Sequence, residues 1–213
     1  MVIFAGGRLT KIDLKEAEGI LPDEYLQNLE KEVSGDELLE RDGITIKDGE
    51  VPPEGVPITR ILNVKPIKKI GPTCWAAVVA SIINLLKNKS LTVEDVAKYV
   101  YGNDWKKMGA WADYVKAYHH WGLYPNLTGV ISFSQIKKNI NSGKPLQLRM
   151  EEHTVALVGY KELSKAQENK SYRILVLMEP NSAELVTVAL NSAGNFYYNV
   201  GGGKDAWKTT GVF

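Results

Sequence analysis

GPTCWAAVVASIINLL, residues 71–86, is the stretch that decides the fold, and it holds the only cysteine of the 213-residue chain. The apolar run from Cys74 to Leu86 has the length and composition of a buried helix. The Gly-Pro pair at its start breaks any preceding regular structure, and Thr73 suits the N-cap position. The sequence therefore predicts a buried helix that begins at Cys74.

Cys74 has two interpretations at the first turn of this helix. The unpaired N–H groups and the dipole of a helix N-terminus favour an anion, and the thiolate is the reactive form of cysteine. The other interpretation is a small buried apolar residue, since free cysteines are commonly buried. The choice between them depends on whether a base and an orienting group accompany the thiol.

The composition of the chain disfavours several classes of partner. Its 26 Lys and Arg residues balance 25 Asp and Glu residues without a basic block, so we expect neither a nucleic-acid nor a membrane partner. The opening Met1–Gly7 is too short for the apolar core of a signal peptide, and no later stretch is long enough to span a bilayer. The compartment stays open, because a signal peptide removed from a longer chain would imply a secreted or cell-surface protein.

A change of character near residue 58 divides the chain into two parts. Residues 8–60 are charged and helix-prone, and segment 48–57 has the Pro- and Gly-rich composition of an extended linker. The apolar stripe of an amphipathic helix is expected at Leu26, Leu29 and Val33. We therefore predict an N-terminal arm and linker over residues 1–57 and one domain over residues 58–213.

The first half of this domain is helical in pattern. Thr92-Val-Glu-Asp95 resembles a capping box that opens a helix running to Tyr101. A second helix is predicted over residues 105–121, and a third, QIKKNINSG, is capped by Ser132 or Ser134. After an early extended segment, ITRILNV, the domain therefore begins with helices.

The second half consists of short β-branched runs separated by polar turns. The predicted strands are LQLRM (146–150), HTVALVGY (153–160), YRILVLME (172–179) and ELVTVAL (184–190), with NFYYNV and TTGVF as additions. Helices followed by an antiparallel sheet make the fold class α+β rather than alternating α/β.

Two residues in these strands supply the partners that a nucleophilic cysteine needs. His153 begins the run HTVALVGY, so a rigid element would hold its ring, and Glu179 ends the run YRILVLME. If the two strands pair, the Glu179 carboxylate could bind one ring nitrogen of His153 while the other faces Cys74. The alternatives are a hydrogen-bonded, half-buried histidine and a solvated turn carboxylate.

The combination of GPTCWAA, HTVALVGY and a strand ending in Glu-Pro resembles papain-like cysteine peptidases, especially compact bacterial members of the staphopain-like and bacteriocin-leader-processing types. In that family Cys-Trp-Ala starts the central helix, His opens a strand, and Asn or Asp directly precedes Pro. The resemblance, over residues 58 to near 190, implies that Cys74 is the nucleophile, His153 the general base and Glu179 the orienting residue. It also implies a helical half, with the Cys-bearing helix at its centre, packed on an antiparallel sheet half.

Two positions depart from the family pattern. Lys68 stands where the family has a Gln that donates to the oxyanion hole, and an ammonium is a flexible point charge rather than a fixed amide. Glu179 is one methylene longer than the usual Asn or Asp, so either the backbone absorbs the difference or Asn181 supplies an amide instead.

The resemblance implies hydrolysis of a peptide or protein substrate by a monomer that needs no cofactor and no metal. Residues 1–57 would then be either the inhibitory prosegment of a zymogen or a permanent packing arm. Two other functions stay open: a transglutaminase-type acyl transferase, which shares the order Cys, His, acid, and a catalytically impaired module that binds a peptide or protein partner.

Two other groups of residues are assigned structural roles. His119 and His120 are neighbours near a predicted helix end, so they point to different faces and are not expected to share a metal. Gly201-Gly-Gly-Lys204 lacks the spacing of a phosphate-binding loop and is predicted to be a turn before the last strand.

Overall fold

A computed structural model describes residues 3–4, 58–165, 170–190, 194–200 and 203–213. The predicted arm helix around Leu26, Leu29 and Val33 and the linker 48–57 lie outside these described residues. The four described helices are α1 (Cys74–Lys87), α2 (Val93–Tyr101), α3 (Trp111–His120) and α4 (Phe133–Asn141). No described helix combines the length and the apolar character needed to cross a membrane.

The described strands are β1 (Ile3–Phe4), β2 (Ile58–Ile61), β3 (Asn126–Thr128), β4 (Leu146–Arg149), β5 (Thr154–Lys165), β6 (Lys170–Glu179), β7 (Glu184–Ala189), β8 (Tyr197–Val200), β9 (Gly203–Ala206) and β10 (Thr209–Val212). Eight of them form one antiparallel sheet in the order β1-β7-β6-β5-β4-β10-β3, and β2 pairs with β5 beside this path. The hairpin β8–β9 is a separate two-stranded sheet. The predicted α+β class, with helices before an antiparallel sheet, is confirmed.

Helix α1 is the centre of the helical half, as the apolar run predicted. Its residues from Trp75 to Ile83 are all buried, and the helix packs on β5 as well as on α2 and α3. Trp75 is fully buried, with its ring stacked on Tyr114 and edge-on to Tyr101. A helix that is apolar on all sides is stable only when neighbours cover every face, and these elements provide that cover.

The predicted helix caps are confirmed at two helices. The Thr92 side chain accepts the Asp95 backbone N–H at 3.2 Å while the Asp95 carboxylate accepts the Thr92 N–H at 2.8 Å, and the helix ends at Gly102. Of the two serines proposed to cap α4, Ser132 is the one that does so, paired reciprocally with Gln135.

The helix predicted over residues 105–121 begins six residues too early. Residues 105–110 form a loop, and α3 begins at Trp111, where the Asp113 carboxylate accepts the Ala110 N–H at 2.7 Å. The loop is held against the core because Trp75 Nε1 donates to the Lys107 carbonyl at 2.9 Å. Gly109 inside the predicted helix was the sequence signal for this break.

Strand β5 carries the His-containing motif and changes partner along its length. Residues 154–157 pair with β4, and residues 159–162 pair with β2. A β-bulge between Leu157 and Gly159 interrupts its pairing with β6. A Cβ on Gly159 would lie 2.6 Å from the Arg60 carbonyl oxygen, so only glycine permits this close approach of β2.

Two predictions of secondary structure in the second half of the chain were wrong in detail. His153 lies directly before β5, which begins at Thr154, so it sits in the connecting loop rather than in the strand. Gly203 and Lys204 belong to β9, although the sequence predicted a turn there. The short strand β3 was not predicted, because all three of its residues are exposed and carry no alternating pattern.

Candidate active site

The structure brings Cys74, His153 and Glu179 together where the helical half meets the sheet half. Cys74 is the first residue of α1 and is half-buried, whereas His153 and Glu179 are 4% and 5% exposed. Strands β5 and β6 are antiparallel neighbours, so the residue before β5 and the last residue of β6 meet at one edge of the sheet. The predicted pairing of these strands is the reason for the contact.

The His153 ring is bound on both sides. Its Nε2 lies 3.0 Å from Oε1 and 3.0 Å from Oε2 of Glu179, and Cys74 lies near enough to the ring to raise its pKa. Because Nε2 is occupied by Glu179, Nδ1 is the nitrogen left for the sulfur. The two partners therefore fix the orientation of the imidazole and its protonation pattern.

Electrostatics favour a charged imidazole in this cluster. Burial lowers the pKa of His153, but hydrogen bonds to Cys74 and Glu179, together with the negative charges of these two groups, outweigh burial and raise it to about 9. The His153 imidazole is therefore protonated at neutral pH. A positively charged imidazole therefore lies beside Cys74, and the thiolate is the nucleophilic form of cysteine.

Glu179 itself is held by the turn that follows β6. Its Oε1 accepts the Asn181 backbone N–H at 2.7 Å, and its carbonyl accepts the Ala183 N–H at 2.9 Å. The side chain of Asn181 is exposed, so its contribution to the cluster is a backbone donor and not the side-chain amide that the sequence left open. The Glu179 carboxylate is therefore held between the His153 ring and the backbone N–H of Asn181.

The loop before α1 is anchored by Thr73. Thr73 stands at the N-cap, but its hydroxyl donates to the Ile70 carbonyl at 2.9 Å and accepts the Ile70 N–H at 3.1 Å. It makes no side-chain cap to α1, contrary to the sequence prediction. The N–H groups of the first turn, including that of Cys74, are therefore left without a side-chain acceptor from the N-cap.

Lys68 does not join the cluster. Its side chain is exposed, and Lys68 is not among the described residues that line the cleft beside Cys74. The segment is tied to the sheet half at the next residue, where the Lys69 N–H donates to the Pro180 carbonyl at 2.8 Å. The role of Lys68 as an oxyanion donor stays a prediction.

A cleft with an empty volume of about 260 Å³ opens at Cys74. On the helical side it is lined by Pro72, Cys74, Met108, Gly109 and Tyr114, and on the sheet side by Arg149, Glu151, Glu152 and His153. Sequence reasoning identified only the cysteine and histidine among these residues. The adjacency of Glu151 and Glu152 to His153 was an available signal, whereas nothing in the sequence pointed to Tyr114 or Arg149.

The histidine pair assigned a structural role lies on the surface. His120 stacks on Tyr99 with ring centroids 3.7 Å apart, and His119 contacts Tyr124 with centroids 4.8 Å apart. In the described parts of the chain, His, Cys, Asp and Glu side chains nowhere gather in a group of three suited to a metal ion.

The sequence and structure also resemble known proteins. Residues 61–204, about two thirds of the chain, match the family described as the Peptidase_C39 like family. One solved structure that resembles the chain is that of UfSP from C. elegans, with a TM-score of 0.41 and 9% identity. The alignment covers 79% of this chain and 35% of that one, so the chain spans about a third of its length. The chain matches no curated protein sequence.

The extent of the family match agrees with the resemblance seen in the sequence and with the α+β architecture of the described residues. The matched residues include Cys74, His153 and Glu179. The chain therefore belongs to the Peptidase_C39-like family.

Proposed function

We propose that the chain is a papain-like cysteine peptidase that acts on peptides or proteins, and that Cys74, His153 and Glu179 form its catalytic triad. The observation that carries the proposal is the contact of both Glu179 oxygens with Nε2 of His153, whose ring lines the same cleft as Cys74. A nucleophile, a base and a group that orients the base are what covalent acyl transfer requires. The three roles agree with those implied by the sequence resemblance.

The reaction begins with attack of the Cys74 thiolate on the carbonyl carbon of a peptide bond. An Sγ–C bond forms, the carbonyl electrons move to oxygen, and the C–N bond breaks as the His153 imidazolium gives its proton to the leaving amine. Neutral His153 then takes a proton from water as that water attacks the thioester. A C–O bond forms, the Sγ–C bond breaks, the acid product leaves, and the Cys74 thiolate and the His153 imidazolium are restored.

Glu179 has no proton to transfer in this scheme. Its carboxylate accepts the Nε2–H of His153, keeps the proton on that nitrogen in the neutral ring, and stabilises the imidazolium. The N–H of Asn181 holds the carboxylate in place. Glu179 is therefore proposed as a positioning residue, and Cys74 and His153 as the catalytic residues.

The test is the pH dependence of Cys74 alkylation by iodoacetamide, together with cleavage of denatured casein. In the wild type we expect rapid alkylation well below the ordinary thiol pKa of about 8.5, and loss of this reactivity in His153→Ala. Cys74→Ala should abolish cleavage while the chain stays folded. Alkylation that rises only near the ordinary thiol pKa, in wild type and mutant alike, would contradict the triad.

The exposed position of Lys68 favours one alternative, a module that has lost turnover and binds a peptide through the cleft. The absence of the usual Gln would then reflect a lost oxyanion site. A peptide mixture incubated with wild type separates the two functions, because turnover yields new N-termini whereas the module retains intact peptides. Binding without new N-termini would favour the module.

We also propose that residues 1–57 form a removable arm that covers the cleft before activation, and that residues 58–213 are the peptidase domain. The support is the Pro- and Gly-rich composition of segment 48–57, which suits proteolytic cleavage. Placing a specific protease site in this segment of the full chain tests the proposal. Cleavage there should increase alkylation of Cys74, whereas an unchanged rate would identify a permanent packing arm.

We also propose that the protein is a monomer. Analytical ultracentrifugation measures its mass in solution and tests this proposal.

A further inference from the structure

We propose that the hydroxyl of Tyr114 donates a hydrogen bond to the oxyanion that forms when Cys74 attacks its substrate. This inference rests on the proposed triad and adds a catalytic residue to it. Stabilising the developing oxyanion is commonly the largest contribution to acyl-transfer catalysis, and it needs a donor that is fixed in advance. Lys68, the residue that replaces the usual Gln, lies outside the cleft.

Tyr114 is placed next to the reacting sulfur by rigid packing. It lies on α3, lines the cleft with Cys74 and His153, and is 3% exposed. Its ring stacks on Trp75 with centroids 5.7 Å apart and an interplanar angle of 10°. Since Trp75 directly follows Cys74, the phenol is held by the residue adjacent to the nucleophile.

A second contact and a close backbone approach restrict the ring further. Trp111 meets the Tyr114 ring edge-on at 5.1 Å, one helical turn earlier on α3. The backbone of Gly109 passes so close that a Cβ there would lie 2.7 Å from both the Tyr114 and the Trp75 rings. The ring is therefore fixed from three directions, and the site needs little reorganisation when charge develops.

The hydroxyl of Tyr114 is also available as a donor. Within the described residues it makes no hydrogen bond, although the hydroxyls of two nearby tyrosines do. Tyr101 donates to the Asp113 carboxylate at 2.7 Å, and Tyr118 donates to the Gln147 side-chain oxygen at 2.8 Å. A hydroxyl that has no protein acceptor, on a residue that lines a cleft, can bind a substrate oxygen at no loss of an existing bond.

The phenol keeps its proton across the working range of pH. Burial, and then the negative charge of Cys74, raise the pKa of Tyr114 well above its usual value, while the Arg149 guanidinium opposes this effect. The influence of the Cys74 charge agrees with the position of the phenol near the sulfur. Tyr114 therefore acts as a neutral donor rather than as an acid.

In the proposed step the thiolate adds to the carbonyl carbon, an Sγ–C bond forms, and the electron pair of the C=O bond moves to oxygen. This oxyanion accepts hydrogen bonds from the Cys74 backbone N–H and from the Tyr114 O–H. When the intermediate collapses, the C=O bond re-forms, the C–N bond breaks, and the proton for the amine comes from His153. Tyr114 keeps its own proton throughout.

The experiment compares wild type, Tyr114→Phe and Tyr99→Phe in three assays. These are kcat and KM on a peptide that the wild type cleaves, the rate of Cys74 alkylation by iodoacetamide, and the affinity for an aldehyde analogue of that peptide. Tyr114→Phe keeps the ring that packs on Trp75, and Tyr99 lies outside the cleft as a matched control. Thermal unfolding of each variant verifies the fold.

We expect Tyr114→Phe to lower kcat by about 10²–10³-fold with little change in KM. The affinity for the aldehyde should also fall, because the oxygen of the hemithioacetal occupies the position of the oxyanion. Alkylation of Cys74 forms no oxyanion, so its rate should equal that of the wild type. Tyr99→Phe should match wild type in every assay.

Wild-type kcat and aldehyde affinity in Tyr114→Phe would overturn this proposal and leave the triad intact. An equal loss of kcat and alkylation would also overturn it, because Tyr114 would then act by positioning the thiol. If wild-type Cys74 neither supports cleavage nor reacts with iodoacetamide below the ordinary thiol range, the proposed triad itself fails, which is a distinct result.

Discussion

Glu179 contacts Nε2 of His153 with both carboxylate oxygens, each at 3.0 Å, and one of these oxygens also receives the backbone N–H of Asn181 at 2.7 Å. The extra methylene of glutamate, relative to the Asn or Asp usual in the family, therefore does not prevent contact with the histidine. Because both side chains are buried, water competes weakly for this interaction.

Replacing Glu179 by Gln should lower the pKa of His153. The amide keeps a hydrogen-bond acceptor for Nε2 but removes the negative charge, so we expect a decrease of about 1–3 from the present value of about 9. An NMR titration of the His153 ring measures this change. Glu184→Gln is the matched control, since Glu184 pairs with Glu179 across β6 and β7 without binding the ring. A His153 pKa that stays near 9 in Glu179→Gln would contradict the assigned electrostatics.

The pH profile of turnover should fall as pH rises through about 9. The pKa of folded His153 is raised above its ordinary value, so the imidazolium persists at neutral pH and loses its proton only in this alkaline range. Deprotonation removes the acid that protonates the leaving amine, and kcat/KM decreases. Alkylation of Cys74 should not fall over the same range, because it needs only the thiolate. A parallel loss of both would point to unfolding instead.

Replacing Thr73 by Val should destabilise the loop before α1. Thr73 is fully buried, and its hydroxyl binds both backbone groups of Ile70, so an isosteric valine leaves these groups unpaired. We expect the free energy of unfolding to decrease by about 1–3 kcal/mol, with slower alkylation of Cys74. Urea unfolding measures the first effect. Thr73→Ser keeps the hydroxyl and should retain the alkylation rate; equal loss in both variants would exclude the hydrogen bonds as the cause.

Replacing Gly109 by Ala should disturb the wall of the cleft. The added Cβ would lie 2.7 Å from the Trp75 and Tyr114 rings, which are themselves packed and must move. We expect a loss of about 1–3 kcal/mol in the free energy of unfolding and a lower kcat. Gly129→Ala is the control, because nothing lies within 4 Å of the position of its Cβ. Stability and kcat equal to those of the control would show that the rings adjust freely.

Replacing Gly159 by Ala should separate β2 from β5. Here the nearest atom to the new Cβ is a backbone oxygen, that of Arg60 at 2.6 Å, so no rotamer change relieves the contact. We expect a stability loss of about 1–3 kcal/mol or more in urea unfolding, with faster hydrogen exchange at the β2 amides. Retention of wild-type exchange there would mean that the bulge absorbs the added atom.

Much of the fold could be predicted from local sequence patterns. The run from Cys74 to Leu86 predicted α1, and the alternating runs after Pro145 predicted the sheet, because apolar periodicity reports which faces are buried. The pattern failed over residues 105–110, where the Trp75 side chain from another helix holds the backbone in a loop. That contact is not local, and the local signal of the break was Gly109 alone.

The candidate site, like the fold, was only partly predictable from local sequence patterns. The chemistry and the chain order of Cys74, His153 and Glu179 were readable because nucleophilic catalysis by cysteine requires a base and an orienting group. The sequence did not predict that Tyr114 lines the cleft or that Lys68 does not. The position of Lys68 is set by the segment before α1, which is tied to Pro180, and that of Tyr114 by the packing of α3 on α1.

The sequence by itself determined the α+β class, the central helix with its cysteine, and the three residues proposed as the triad. The tertiary structure decided which nitrogen of His153 binds Glu179, that Asn181 contributes a backbone N–H, and which side chains surround the sulfur. The physical reason is the distance along the sequence over which each kind of interaction acts. Helix and strand formation follow from patterns over neighbouring residues, whereas a catalytic geometry of about 3 Å depends on side chains that only the folded chain brings into contact.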